Sequence, residues 1–397
     1  MSSRAWVVAG SLGVLIAVPP ALARDVTLFV TADQHYGDAL ADPLNPVLIE
    51  ALNGLPGWTY PDAYGTVDVP RGVVVAGDMT DEGLQVQWDE FVANYGLTGS
   101  DGVLNYPVYE GRGNHDRRNG GLPVKNGIIS RHGSLTYSWD WDDVHIVCLD
   151  EIVTASVCAY LASDLAAVEP YRPVILYHHY GFDPISIGDW TDEELDAYED
   201  TIRGHNIVGI FHGHNHLSSQ YTWRGYDVYS PGAPALPILG QSFTVVRLTN
   251  DEMLVAEYEW TASGGAWTGG SWAWSHAKPL NPPGIVSLSL DVLNATVELD
   301  PPPADPENPK YPVGTEVTLE AVPNTFMKFD HWLIYDPNYP GDANVPPAVI
   351  EPNKVITILM DNDRHVSAVC KCGSTSPPMP LMILGALAIL VLLRRNA

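Results

Sequence analysis

The residues best suited to chemistry in this sequence are aspartates, histidines and one asparagine in five short stretches. They are Asp33 and His35, Asp78, Asn114 and His115, His178, and His214 and His216. Carboxylate, imidazole and amide groups of this kind suit one or two divalent metals such as Mn, Fe or Zn. A carboxylate such as Asp78 can bridge two ions about 3.5–4 Å apart, which lower the pKa of a shared water and clamp a phosphoryl group. One histidine after a strand is more often structural, but five such sets are not expected by chance.

Each of the five stretches directly follows an apolar run that is typical of a buried strand. The runs are residues 25–32, 72–76, 106–110, 173–177 and 207–211, with helical spacing at 43–52, 84–95 and 155–168. This alternation predicts an α/β fold, in which ligands bind at the carboxyl ends of the strands. We therefore expect the five sets to meet along one edge.

The rest of this region is predicted to continue as strands and one capped helix. Residues 135–141 and 144–150 are typical of a hairpin, and Thr191 with Glu194 forms the sequence pattern of a helix N-terminus. Further strand-like segments lie at 220–223, 227–230, 242–248 and 253–260, and the Gly- and Trp-rich residues up to Pro279 are predicted to form a loop.

The composition changes at Asn281-Pro282-Pro283, which predicts a linker. Strand candidates at 286–290, 295–299, 316–321 and 355–360 alternate with proline-rich turns and indicate a small β-rich domain. Its two histidines, His331 and His365, are interpreted as ordinary residues. The expected organisation is a signal peptide at 1–23, a first domain at 24–280, a β-rich domain at 281–370 and a tail at 371–397.

Both ends of the chain carry targeting patterns. Arg4, an apolar segment to Val18 and Ala21-Leu22-Ala23 are typical of a cleaved signal peptide. Residues 381–393 form an apolar run before Arg394 and Arg395, which predicts a short C-terminal helix that is sorted, cleaved or left as a membrane anchor. Cys148 and Cys158 can pair in an oxidising compartment, and two buried thiols are an equal alternative.

The strong acidity limits the classes of partner. The net charge is −28 with only 20 basic residues. This charge disfavours nucleic acids and anionic membrane surfaces as partners, and a solvated acidic surface explains it.

The five motifs together resemble those of the calcineurin-like metallophosphoesterases. Asp33-x-His35, Gly77-Asp78-x-x-Asp81, Gly113-Asn114-His115-Asp116, His178 and Gly213-His214-x-His216 match in order, over roughly residues 24–280. The resemblance implies two packed mixed β-sheets flanked by helices. It implies one metal on Asp33, His35, Asp78 and His216, and a second on Asp78, Asn114, His178 and His214. It also implies His115 near the leaving oxygen, oriented by Asp81.

These resemblances lead to the hypothesis of an exported two-metal phosphoesterase that cleaves a phosphomonoester or phosphodiester by attack of a metal-bound hydroxide. His179 is the alternative to His178 as a ligand, and Tyr36, Tyr180, Phe182 and Trp190 are candidates for the substrate pocket. Residues 314–369 resemble a divergent internalin-type bacterial repeat, and Cys370-Lys371-Cys372 with the tail resembles bacterial sorting tails. The alternative hypothesis is a surface adhesion protein with an inactive phosphoesterase scaffold.

Overall fold

The computed structural model describes residues 24–234, 241–282, 284–335 and 347–372. These residues fall into two compact units. The first extends to Ile202 and resumes from Ile207 to Gly284, and the second comprises Arg203–Asn206 and the chain from Ile285. The division into domains at 24–280 and 281–370, each folding independently, stays a prediction.

The first unit contains all the α-helices and twelve of the strands in the described residues. Its helices are α1 (Asn45–Gly54), α2 (Gln85–Tyr95), α3 (Leu122–His132), α4 (Ala155–Leu165) and α5 (Asp192–Ile202), with 3₁₀ turns at Pro61–Ala63, His115–Gly120 and Ile187–Asp189. Its strands are β1 (Asp25–Thr31), β2 (Val73–Ala76), β3 (Val108–Gly111), β4 (Tyr137–Trp141), β5 (Val144–Cys148), β6 (Val174–Tyr177), β7 (Ile207–Phe211), β8 (Ser219–Trp223), β9 (Tyr226–Ser230), β10 (Ser242–Thr249), β11 (Glu252–Ser263) and β12 (Ala266–Pro279).

The twelve strands form two six-stranded mixed sheets. One has the order β12-β11-β10-β1-β2-β3, and the other has the order β4-β5-β6-β7-β9-β8. Strands β1, β2 and β3 are parallel, as are β5, β6, β7 and β9. Apolar residues of both sheets, with α1 and α2, share one core, while α4 and α5 cover the outer face of the second sheet. The fold is therefore α/β with mixed sheets, as predicted.

The second unit is built from β-strands. They are β13 (Ile285–Val292), β14 (Ala295–Asp300), β15 (Lys310–Pro312), β16 (Thr315–Pro323), β17 (Met327–Tyr335), β18 (Val349–Glu351), β19 (Val355–Met360) and β20 (Arg364–Cys372). They form sheets of the order β15-β13-β20-β17-β18 and β14-β16-β19. Trp332, Val317, Leu319 and Met360 are fully buried and supply its core.

Several sequence predictions differ from the structure. The predicted Gly- and Trp-rich loop before Pro279 is instead β12, a 14-residue strand that pairs along β11. Helix α3 was not predicted. Cys148, Cys158 and Cys370 are free thiols. The signal peptide and the apolar tail helix lie outside the described residues. Within the described residues, no helix has the length and apolarity needed to cross a bilayer.

Candidate metal centre

The carboxyl ends of β1, β2, β3, β6 and β7 bring the predicted residues together, except that His179 lies in the place predicted for His178. Asp33 and His35 follow β1, Asp78 follows β2, and Asn114 follows β3 in one sheet, while His179 and His214 follow β6 and β7 in the other. Backbone hydrogen bonds connect the loops: Asp33 N donates to Gly77 O at 3.0 Å, and Gly213 N donates to His179 O at 3.1 Å. The site is therefore assembled by both sheets.

The first cluster contains Asp33, His35 and His216, whose ligand atoms lie within 4.8 Å of one another. The Nε2 atoms of His35 and His216 are 3.1 Å apart. Oδ1 of Asp33 lies 3.5 Å from Nε2 of His216 and 3.9 Å from Nε2 of His35. Two imidazole nitrogens and a carboxylate thus face one point.

The second cluster contains Asp78, His179 and His214, again within 4.8 Å. Oδ2 of Asp78 lies 3.1 Å from Nε2 of His179. Oδ1 of Asn114 completes the group, 2.9 Å from Nε2 of His179 and 3.0 Å from Nδ1 of His214. A neutral amide oxygen therefore stands beside two imidazoles and one carboxylate.

Asp78 connects the two clusters. Its Oδ2 atom lies 3.9 Å from Nε2 of His35 in the first cluster, and the same atom contacts His179 in the second. The donor spacing fits bound metal, because two nitrogens at zinc distances of about 2.0–2.1 Å in a tetrahedral site are roughly 3.3 Å apart. The 3.1 Å separation of His35 and His216 is close to that spacing.

In the structure His179, and not the predicted His178, lies in the second cluster beside Asp78. Ile175 and Tyr177 of β6 face the core between the sheets, whereas Val174 and Leu176 face α4 and α5. This alternation directs His178 outward, where it packs on Phe182, Trp190 and Tyr198. His179 returns to the inner face and reaches Asp78. Both faces of β6 are apolar, so the sequence alone does not show which of the two histidines faces the inner core.

Five of the candidate ligands have left-handed backbones. The φ angles are 58° for Asp33, 44° for His35, 52° for Asp78, 72° for His214 and 60° for His216. Non-glycine residues adopt this region rarely and at an energetic cost, and such residues concentrate at functional sites. The clustering supports a site whose ligand geometry is imposed by the surrounding fold.

Glycines precede the ligands because the loops pack backbone against backbone. A Cβ atom at Gly213 would lie 2.7 Å from Cβ of Ala32 and 2.8 Å from Oδ2 of Asp33. A Cβ at Gly77 would lie 2.9 Å from Cα of Gly113. At Gly113 it would clash with Asp78 itself. The three glycines of the motifs therefore let the strand ends approach closely enough for their ligands to meet.

His115 lies beside the clusters between a carboxylate and a guanidinium. Its Nδ1 atom is 3.0 Å from Oδ1 and 2.9 Å from the backbone O of Asp81. Nη2 of Arg118 donates to Nε2 of His115 at 2.8 Å. Because arginine can only donate, Nε2 accepts and Nδ1 carries the proton toward Asp81. Asp81 therefore orients His115, the geometry that the motif implies, and Arg118 is a partner that the sequence analysis missed.

Asp116 is a second residue whose position the sequence did not predict. Its buried carboxylate accepts hydrogen bonds from Thr80 N at 2.9 Å, Thr80 Oγ1 at 2.8 Å and Gly113 N at 2.9 Å. It thus holds the loops after β2 and β3 together. Burial and the nearby charge of Asp78 raise its pKa to about 6.

Burial and neighbouring charges shift the pKa values of several groups in the centre. Burial lowers the pKa of His35 to about 3 and that of His214 to about 4. Burial also lowers the pKa of His179, but Asp78 and Asp33 outweigh this effect and raise it to about 9. Burial raises the pKa of Asp33. Bound cations would favour ionised carboxylates and neutral imidazoles at these positions.

The walls of the site differ from the predicted pocket. Of the four aromatic candidates, Tyr180 lies at the site, with its ring centroid 4.3 Å from that of His214. Tyr36 packs on Phe91 and Tyr95, while Phe182 and Trp190 belong to the outer core. Oδ2 of Asp189 lies 3.6 Å from Nε2 of His214 and adds an acidic group that was not predicted.

Two further arginines flank the third motif and are paired. Arg112 makes two hydrogen bonds to the carboxylate of Asp150, at 3.0 and 2.6 Å. Arg117 forms an ion pair with Glu151. The side chain of Arg117 is more than half exposed, whereas that of Arg112 is largely covered. Arg117 is therefore the one of the two that is more open to an incoming anion.

Part of the chain that contains this site matches a known protein family. Residues 48–218 match the calcineurin-like phosphoesterase family. The match covers four of the five motifs and begins after Asp33 and His35, whose place in the site depends on the geometry above. No curated protein matches the chain.

The chain is also similar to solved structures at low identity. A dimetal phosphatase from Danio rerio is 14% identical with a TM-score of 0.47, covering 64% of this chain and 99% of that one. GAP50 of Plasmodium, described as the anchor in the inner membrane complex, is 10% identical with a TM-score of 0.46, covering 65% and 89%. Vps29 of Entamoeba histolytica, crystallised with zinc, is 14% identical with a TM-score of 0.33, covering 64% and 100%.

Proposed function

We propose that the calcineurin-like phosphoesterase domain of this chain hydrolyses phosphoesters with the aid of two divalent metal ions. One observation carries the proposal: Asp78 stands between two clusters that each supply imidazole nitrogens and an oxygen donor. Five of the proposed ligands also have strained backbone conformations, which cost energy and are concentrated at functional sites, and this supports an active centre over an inactive scaffold.

The ligand sets follow from the distances. Asp33, His35, Asp78 and His216 would hold one ion, and Asp78, Asn114, His179 and His214 the other. When bound, the two ions supply an activated water and neutralise charge on the phosphoryl group. Imidazole, carboxylate and amide ligands suit Mn, Fe or Zn, so the donor set fits the metals predicted from the sequence.

The surrounding side chains position the substrate and move a proton. Arg117 and Arg118 present guanidinium groups that suit bidentate contact with phosphate oxygens. When Arg118 turns from His115 to the phosphate, Nε2 of His115 becomes free to take up a proton from solvent water and donate it to the leaving oxygen, which departs as the alcohol. Asp81 keeps the ring oriented throughout through the contact with Nδ1.

The direct test is turnover of p-nitrophenyl phosphate and its bis-ester, with and without a strong chelator. We expect hydrolysis of at least one ester that the chelator abolishes and that added Mn²⁺ or Zn²⁺ restores. Metal binding with no turnover of either ester or of a wider screen of phosphoesters would favour the inactive scaffold. Hydrolysis that resists the chelator would contradict the metal dependence. The relative rates on the two esters distinguish a monoesterase from a diesterase.

We also propose that the protein is exported and held at a bacterial cell surface. The N-terminal pattern at 1–23 and the apolar tail with Arg394 and Arg395 support this proposal. The internalin-like residues 314–369 support a spacer or adhesion role for the second unit. Cell fractionation and accessibility to an added protease check it: we expect surface-exposed protein, and a wholly intracellular protein with an intact N-terminus would refute it.

A further inference from the structure

The first unit contains an aromatic pocket that uses none of the candidate metal ligands. Trp58, Thr59, Tyr258, Gly270, Ser271 and Trp272 line a cavity of about 520 Å³. This volume lies within the range of small-molecule sites. Trp58 and Thr59 come from the segment after α1, and the other lining residues come from β11 and β12.

The rings of Trp58 and Trp272 each stand nearly at right angles to the ring of Tyr258, which is buried at the floor of the pocket. The ring of Tyr258 makes an angle of 73° with Trp58 at 5.9 Å, and an angle of 68° with Trp272 at 5.2 Å. Nε1 of Trp272 donates to Thr59 O at 2.9 Å, and its ring stacks on buried Tyr60 at 5.4 Å. The arrangement is therefore fixed before any ligand arrives, which reduces the entropic cost of binding.

Two glycines of β12 keep side chains away from these rings. A Cβ atom at Gly270 would lie 2.9 Å from Cζ of Tyr258, and one at Gly269 would lie 3.4 Å from Cη2 of Trp58. Gly269 has a φ of +109°, which other residues rarely adopt. The Gly-Gly pair, which weakens a strand, thus lets β12 lie close against buried Tyr258 and leaves the Trp58 ring uncovered at this point. Trp58 remains 39% exposed.

The uncharged aromatic lining of the pocket, in a strongly acidic chain, indicates the kind of ligand. None of its lining side chains is charged, while the whole chain carries a net charge of −28. Aromatic faces are electron-rich and attract cations, and several rings together recognise methylated ammonium groups. Such a cation needs no carboxylate partner because its charge is shielded by methyl groups. An anionic ligand would be repelled by the acidic chain, and a neutral sugar would find three hydroxyl side chains, those of Thr59, Tyr258 and Ser271, but no charged hydrogen-bond partner.

We propose that this pocket binds a small quaternary ammonium compound of the choline type. The proposal does not depend on the phosphoesterase activity. Choline chloride titrated into the full-length protein, followed by calorimetry and tryptophan fluorescence, tests it. The control ligand is 3,3-dimethylbutan-1-ol, which has the same shape without the charge. We expect choline to bind at least about tenfold more tightly than the neutral alcohol, the size of a desolvated cation–π interaction.

Variants separate the cation–π contribution from simple apolar contact. Trp58→Leu should weaken choline binding about tenfold and Trp58→Phe by less, because tryptophan is the best cation–π partner. Thr59→Lys should weaken choline binding and Thr59→Glu strengthen it, with no change for the neutral alcohol. Phe326→Leu, at an 81% exposed aromatic of the second unit, is the matched control and should change nothing.

Three results would overturn the proposal. They are equal affinity for choline and the neutral alcohol, binding of a methyl glycoside without binding of choline, and choline binding that Trp58→Leu leaves intact. Thermal unfolding of each variant shows whether it is folded. If Trp58→Leu fails to fold, the Thr59→Lys and Thr59→Glu pair at the exposed rim decides alone, and equal choline affinity for those two variants would refute the proposal.

Discussion

At the scale of single residues, the centre is defined by which atoms face each other. Asp78 is the residue common to both clusters, and His179 faces it while His178 does not. The amide of Asn114 contacts imidazoles of both histidines in the second cluster. These contacts assign different roles to neighbouring residues of one motif, and substitutions can test each assignment.

The exchange of His178 for His179 is tested by a pair of substitutions. His179→Gln removes a ligand nitrogen, so we expect loss of bound metal and a fall in kcat/KM of at least about 100-fold. His178→Leu should keep both, because the His178 ring packs among the aromatic rings of the outer face and not in either cluster. Metal analysis and kinetics on both proteins measure the difference. Loss of metal in His178→Leu with retention in His179→Gln would restore the original assignment.

The role of His115 is tested by the leaving group. A proton donor matters most when an alkoxide departs, because an alkoxide is a strong base and p-nitrophenolate is a weak one. His115→Gln should therefore lower kcat/KM about 10²–10⁴-fold on an alkyl phosphate and much less on p-nitrophenyl phosphate. Metal content should stay at two ions. Equal losses on the two substrates would show that His115 only packs beside the site.

At the scale of secondary structure, strand ends and the loops that follow them build the site. Asp116 joins the loops after β2 and β3, and Asp33 accepts the backbone N–H of His214 from the opposite sheet, at 3.1 Å to each oxygen. The glycines of the motifs allow the loops to touch. The geometry of the ligands is thus maintained by backbone contacts between loops as well as by the strands.

A substitution at Gly213 tests this close packing. The methyl group of Gly213→Ala would lie 2.7 Å from Cβ of Ala32, so Asp33 and His214 must separate. We expect a loss of about 1–3 kcal/mol in the free energy of unfolding and weaker metal binding. Gly188→Ala is the control, since its Cβ would meet no atom within 4 Å. Denaturant unfolding compares the two, and equal stability would contradict the packing argument.

The strands that carry the ligands could be predicted because a short apolar run that ends in Asp, Asn or His is typical of a buried strand. The hairpin β4–β5 and the Thr191–Glu194 cap of α5 were predicted for similar local reasons and are confirmed. Strand β12 was missed because its glycines have low strand propensity, and its pairing with β11 outweighs that preference. His179 was not favoured because only the packing on each face of β6 distinguishes it from His178.

At the scale of the whole molecule, all the candidate ligands belong to the first unit. That unit includes residues beyond the predicted boundary at 280. Leu280 N donates to Asp251 O at 2.8 Å, and Arg24 Nη1 donates to Asn281 O at 3.4 Å. The unit that supports the chemistry therefore extends to Gly284 in the structure.

A protein consisting of residues 24–284 should fold and hydrolyse the same esters as the full chain. The reason is that both sheets, all five helices and every candidate ligand lie within it. Cooperative thermal unfolding and kcat/KM for p-nitrophenyl phosphate measure the outcome. If this protein is insoluble or inactive while residues 24–372 are active, the second unit contributes to the fold of the first.

A metal titration can test whether Asp78 joins two metal sites into one centre. The metal-depleted protein is titrated with Mn²⁺ or Zn²⁺ while bound metal and ester hydrolysis are measured together. We expect activity that rises and saturates at two ions per chain. Asp78→Asn should bind fewer ions and remain inactive, because a neutral amide bridges two cations poorly. Full activity with two bound ions in Asp78→Asn, or activity of the native chain without metal, would show that hydrolysis does not depend on a metal pair joined by Asp78.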